Sequence, residues 1–124
     1  MVLSRRNKTI INRYINLQGG WREREMVVLS CVVEVFIPHA SSLKDKRRVI
    51  KGLLERLRQR FNVSVAEISH HDLWQRSCLA MASVGTDNRY VEGILQKAVN
   101  FIEESGLVEV THYYIDHYPA EEVV

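Results

Sequence analysis

Eight consecutive residues, Ser41-Ser42-Leu43-Lys44-Asp45-Lys46-Arg47-Arg48, put four cations into the opening turns of a helix. Aligned peptide dipoles leave partial positive charge at a helix N-terminus, so Lys and Arg belong at the other end. Ser42 reads as the N-cap, and Asp45 three residues on makes a capping-box variant. Cations stacked on free backbone N–H groups suit an anion. The chemistry these types and spacings favour is contact with phosphate, most naturally that of structured RNA, where Lys and Arg position the backbone without reading sequence. The plainer alternative is a solvated basic face.

The second unusual segment is His70-His71-Asp72-Leu73-Trp74-Gln75-Arg76. Adjacent histidines in a strand-like loop point apart and no further ligand spacing follows. The segment therefore reads as a polar hairpin tip, with no metal assigned. Trp74, Gln75 and Arg76 combine a stacking surface, an amide and a guanidinium. Either Trp74 packs over an edge of the core while Arg76 pairs with Asp45, Glu67 or Asp72, or the two contact a nucleotide or partner. His112 and His117 read as surface groups on the last strand. Cys31 and Cys78 lie inside apolar runs without CxxC spacing, as buried free thiols of a reducing cytoplasm do. No Ser sits in a nucleophile elbow and no glycine-rich phosphate loop is present, and a Glu67/Asp72 carboxylate pair is unspecific. The reading is non-enzymatic, with no catalytic residues and no cofactor.

These side chains must be positioned by one domain: the chain has 124 residues, 46% hydrophobic and 26% charged, the balance of an ordinary globular protein. No apolar run reaches the length of a membrane span, and the N-terminus lacks the apolar region of a secretory signal. The net charge of +2 is unevenly spread. Residues 1–25 hold six basic and two acidic side chains, while residues 43–60 hold eight basic and two acidic. The rest of the body is acidic, which argues against generic duplex-DNA binding and for a localised anion-binding face.

The strong pattern begins at Met26. Residues 1–25 read as a leader, disordered or a non-native extension, in which Ile10, Ile11, Tyr14, Ile15 and Leu17 line a weak helix stopped by Gly19-Gly20. Trp21-Arg22-Glu23 can be encoded TGG-AGG-GAG, a bacterial ribosome-binding core just upstream of the Met26 codon, so Met26 is the expected natural start. An endogenous mass beginning earlier would contradict this. An organelle transit peptide is the weaker alternative. From Val27 to Ile37 every odd position is apolar, giving a strand with one buried face, ended by Pro38. The helix over 43–60 carries Leu43, Ile50, Leu53, Leu54, Leu57 and Phe61 on one stripe, and Lys44, Arg47, Lys51 and Arg58 on the next. Strands follow over 62–69 and 77–84. A second helix bears Val91, Ile94, Leu95, Ala98 and Ile102, with Gly106 as its stop, and a last strand covers 107–118 before a tail at 119–124.

The order βαββαβ predicts an α+β, ferredoxin-like sandwich over residues 26–118: a four-stranded antiparallel sheet of order 4-1-3-2 with both helices on one face. That topology sets the start of the basic helix beside the hairpin of residues 70–76. The fold's known uses can be checked against the residues. An RNA-recognition motif stacks bases on aromatics of its first and third strands, and the third strand here, Cys78 to Val84, has none. A metal chaperone needs CxxC after the first strand, where this chain has Pro38-His39-Ala40. Val28, Val32 and Phe36 make the open sheet face apolar, which suits a dimer or a small-ligand surface.

The segments Ser42 to Arg48, Asn62-Val63-Ser64-Val65-Ala66-Glu67 and Asp72 to Arg76, in that order, resemble the YlxP-like family across about Met26 to Tyr118. The resemblance implies a small cytoplasmic bacterial protein of ferredoxin-like fold with no established activity. In some bacteria the family's genes neighbour those of translation initiation and ribosome maturation, which implies ribosome association by context. Members usually begin near this Met26, and the family supplies no catalytic assignment. Two main readings result, with an enzyme acting on a phosphorylated substrate at the same basic end as a lesser third. In the first, Lys44, Lys46, Arg47, Arg48 and Lys51, flanked by Trp74 and Arg76, hold structured RNA or a ribosomal subunit. In the second, a dimeric regulatory or scaffold module binds a protein or small anionic ligand through Val28, Val32 and Phe36.

Overall fold

Alternation in the strand that runs through the middle of the sheet organises the whole molecule. In the computed structural model, which describes residues 10–15 and 21–118, the elements are β1 (Ile10–Ile15), β2 (Trp21–Phe36), α1 (Leu43–Arg60), β3 (Ser64–Ser69), β4 (Arg76–Gly85), α2 (Asn88–Glu104) and β5 (Glu109–Tyr118). Val27, Leu29, Cys31, Val33, Val35 and Ile37 are all buried, because successive strand residues face opposite sides and only one side carries the helices. β4 pairs antiparallel with β2 from Val27↔Gly85 to Phe36↔Arg76, and β5 pairs along the other edge from Val28↔Tyr118 to Phe36↔Glu109. β3 pairs with β4 from Ser64↔Ala82 to Ser69↔Cys78. Order β3-β4-β2-β5 is the expected 4-1-3-2 sheet, and the fold is ferredoxin-like α+β.

Both helices pack on the inner face. Ile50, Leu53 and Leu57 of α1 meet Val91, Leu95, Ala98, Val99 and Ile102 of α2 in one core with the odd residues of β2. Phe61 and Phe101 stand edge to face, ring centroids 5.8 Å apart, and the Arg60 guanidinium lies 4.9 Å over the Phe101 ring. Asp87 caps α2 by accepting from the Tyr90 N–H, and Gly106 turns the chain out of it at φ +72°. Gly85 ends β4 against α2: a Cβ there would stand 2.7 Å from Val91 Cγ2.

The weak helix expected around residues 10–17 is not formed. Ile10–Ile15 is a strand, paired with Trp21–Met26 from Ile15↔Trp21 to Ile10↔Met26. Isoleucine and tyrosine are strand formers, and the next segment supplies the antiparallel partner that a helix reading leaves out. The expectations for residues 1–9, 16–20 and 119–124 lie outside the described residues. Among those described, no helix is long and apolar enough to cross a membrane.

Candidate functional site

At 100° per residue, Lys46 falls on the apolar stripe of α1: positions 46, 50, 53 and 57 are spaced four, three and four apart. The structure follows that spacing. Lys46 is fully buried, 0% exposed, and its ammonium makes an ion pair of 2.8 Å with Glu67 Oε2. Nζ also donates to the carbonyls of His70 at 2.7 Å and His71 at 3.1 Å. An ammonium has three donors, and all three are used. Glu67 in turn accepts from Ser77 Oγ at 2.5 Å. Burial pushes the Glu67 carboxyl up, but the hydrogen bonds from Lys46 and Ser77 and the charge of Lys46 outweigh it and hold it below the usual carboxylate range. Lys46 is therefore removed from the expected phosphate-binding set: a buried charge must be paired, and this one is saturated inside the protein. The sequence signal was present twice. Lys46 sits in the apolar stripe, and Glu67 has the inward parity of Val65, its neighbour two residues back on β3.

The same contacts lock the hairpin of residues 70–76 onto the start of α1, the juxtaposition expected from topology. His70 takes a left-handed backbone (φ 62°), with its carbonyl accepting from Lys46 and from the Leu73 N–H. Gln75 Nε2 donates to the carbonyls of Pro38 and Ala40, and Ile37 N–H donates to the Gln75 carbonyl at 2.8 Å. Leu73 and Trp74 are held out at 44% and 53% exposure. With Phe36, Ala40, Ser41, Gln75 and Arg76 they line a groove of about 620 Å³.

The other expected site residues fan out around the first turns of α1. Lys44, Arg47, Arg48 and Lys51 are exposed, and none forms an ion pair with a carboxylate among the described residues. Arg48 lines a separate hollow of about 240 Å³ on the side of Gly106 and Leu107, so it does not join Trp74. The Ser42 cap is as expected, accepting from the Asp45 N–H at 3.0 Å. Asp45 reaches back to the Ser41 hydroxyl at 2.8 Å rather than to Ser42, and those Ser41 hydrogen bonds lower its pKa. Its carboxylate thus supplies an internal anion at the helix start, which weakens the anion-site reading of the bare N-terminus.

On the open face, Arg76 pairs with none of the three carboxylates expected for it. Asp45 and Glu67 are otherwise engaged, and Arg76 Nη2 stands 4.0 Å from Glu34 Oε2, with His70 Nε2 3.4 Å from the same oxygen. Cys78, directly opposite Glu34 in the register, is buried beside it. Burial, then the hydrogen bond and charge of Glu34, push its thiol up to about 11, and burial pushes Cys31 up to about 12. Neither is a nucleophile near neutral pH. Val28, Val32 and Phe36 share this open face, each only partly covered. His117, expected at the surface, is instead buried: it lies opposite Leu29, on the inward parity of β5. Among the described residues no three His, Cys, Asp or Glu side chains gather as a metal site.

The family model described as "Protein of unknown function (DUF503)" matches residues 28–115, which takes in α1, the Lys46–Glu67 pair and the whole groove. The chain belongs to this family. It is similar to "Uncharacterized protein YlxP" of Bacillus subtilis (strain 168), at 40% identity over 78 residues, covering 63% of this chain and 85% of that protein. The YlxP-like resemblance of the helix start, β3 and the hairpin segment is thereby confirmed. The family match begins after β1 and the first part of β2, so the β1–β2 hairpin stands outside the matched region.

Proposed function

We propose that this protein is a non-catalytic RNA- or ribosome-associated factor that holds phosphates with Lys44, Arg47, Arg48 and Lys51, with Arg76 and Trp74 at the same end of the sheet. The observation that carries the reading is the set of exposed cations on α1 that no carboxylate pairs among the described residues, set against a body that is otherwise acidic. Cations left free of carboxylates keep their full affinity for an external polyanion. Lys46 has no part in it.

Co-sedimentation of the full chain with ribosomal subunits over a salt series tests this. Binding should weaken steeply with salt, and Arg47→Glu with Arg48→Glu should weaken it further and flatten the log–log slope by roughly 1.5. Association indifferent to salt and to both reversals refutes the proposal. A second reading has an observation of its own: Val84 and Tyr114, 52% and 43% exposed, extend the apolar open face around Val28 and Val32. A dimer, a protein or a small anionic ligand there would give a salt-insensitive complex weakened by Val32→Asp. Phe36 discriminates less well, because it also lines the Trp74 groove.

A further inference from the structure

Resting on the phosphate-binding reading above, we infer that the groove of Phe36, Leu73, Trp74 and Arg76 takes an unpaired base of single-stranded RNA, stacked on Trp74, while the cations of α1 hold the neighbouring phosphates. A Trp half in water is ordinarily costly to keep in place. Here its loop is pinned from both sides: Lys46 holds the carbonyls of His70 and His71, and Gln75 holds those of Pro38 and Ala40. The side chain is thus presented by a rigid frame, which lowers the ordering cost of any partner that covers it.

The groove's chemistry favours a nucleotide over a peptide. Its amide, Gln75, is already engaged, and its hydroxyl, Ser41 Oγ, already donates to Asp45. What remains is a flat aromatic surface, two apolar walls and the Arg76 side chain, 59% exposed, whose guanidinium reaches Glu34 only at 4.0 Å. Every base offers a π-face, and base–aromatic stacking beside a guanidinium is the common platform for single strands. Ser41 forms one end of the groove and immediately precedes the Ser42 cap, so the first turn of α1, with Lys44, stands beside it. The volume of about 620 Å³ lies in the range of sites for small planar ligands, roughly 300–1,000 Å³. Of the nearby acids, Glu67 is paired with Lys46 and Glu34 faces Arg76 and His70, while Asp45, bonded to Ser41, and Asp72 in the loop keep their charge, so the phosphates must be held by the cations of α1.

The experiment uses the full chain with Trp21→Phe, so that Trp74 is the remaining tryptophan. It is titrated with an unstructured RNA strand of about a dozen nucleotides, and with the same strand annealed to its complement. The single strand should quench Trp74 and bind more tightly than the duplex. Followed by the anisotropy of end-labelled RNA, since no tryptophan then remains, Trp74→Ala should weaken single-strand binding about 5- to 150-fold while leaving duplex binding and the salt slope unchanged. Trp74→Phe, which keeps a stacking ring, should retain most of the affinity, and a thermal melt of each variant checks that it is folded. Equal binding of both forms, indifferent to Trp74→Ala but lost in Arg47→Glu with Arg48→Glu, overturns the groove and leaves the phosphate reading standing. Quenching that survives those reversals upholds the groove and overturns the stripe. No binding of either RNA overturns both, and a protein partner then inherits the site.

Discussion

Replacing Lys46 by Met should be among the most damaging single changes in this chain, although it removes a charge from a helix crowded with charge. Met matches the length of the apolar stem and leaves no donors. Glu67, partly buried, would keep only the Ser77 hydroxyl, and the His70 and His71 carbonyls would lose their shared donor. Breaking a buried pair from one side costs about 3–5 kcal/mol, because the remaining charge stays desolvated and unpaired. An exposed pair would cost about 0–1 kcal/mol, so the two cases are well separated. At roughly 4 °C per kcal/mol for a chain of this size, the midpoint should fall by about 12–20 °C. Urea unfolding followed by circular dichroism is the assay, since urea leaves ionic interactions unscreened. Adding Glu67→Gln to Lys46→Met should recover part of the loss, with a coupling of about 1–3 kcal/mol. A loss below about 1 kcal/mol, or strictly additive single changes, would show that Lys46 is solvated and that the buried-pair account is wrong.

The pair also predicts a direction with pH. Glu67 is held below its unfolded value, so its contribution is present above the usual carboxylate pKa of about 4.3 and disappears as pH falls through the lower folded value. Stability measured from neutral pH downward should therefore drop below about pH 4.5, and Glu67→Gln should flatten that drop; an unchanged profile in the variant would contradict the assignment. Gly85→Ala should cost about 1–3 kcal/mol in the same urea assay, because the new methyl meets Val91 at 2.7 Å and the first turn of α2 must shift. A neutral result would mean that α2 does not close on β4 at that point. Cys31 and Cys78 should resist thiol reagents in the native protein and react only on unfolding, being buried with pKa values near 12 and 11. Rapid labelling of either under native conditions would place it on the surface.

Strand alternation from Val27 to Ile37, the stripe Ile50–Leu53–Leu57, the Ser42 cap and the Gly106 stop are all local patterns, and each is legible because it needs no partner to be recognised. Together with the βαββαβ order they are enough to determine the ferredoxin-like sheet and to bring the 70–76 hairpin to the start of α1. The β1–β2 hairpin was less legible: a short Ile-rich segment satisfies a helix or a strand equally well until its partner is known.

Helical spacing marks Lys46 as the odd member of the basic cluster, but only the tertiary structure decided which partners let it be buried. By type, Lys44, Lys46, Arg47 and Arg48 form one basic cluster, and charge counting treats them alike. The fold separates them, sending Lys46 inward to Glu67 and leaving Lys44, Arg47 and Arg48 exposed, Arg48 on the side of Gly106. The physical reason is that burying an ammonium is prohibitive without a counter-charge and carbonyl acceptors. Those partners lie on β3 and its hairpin, remote in sequence, and come within reach only when the sheet closes under α1. The same closure decided that Trp74, equally able by sequence to cover the core, is held out beside a groove instead.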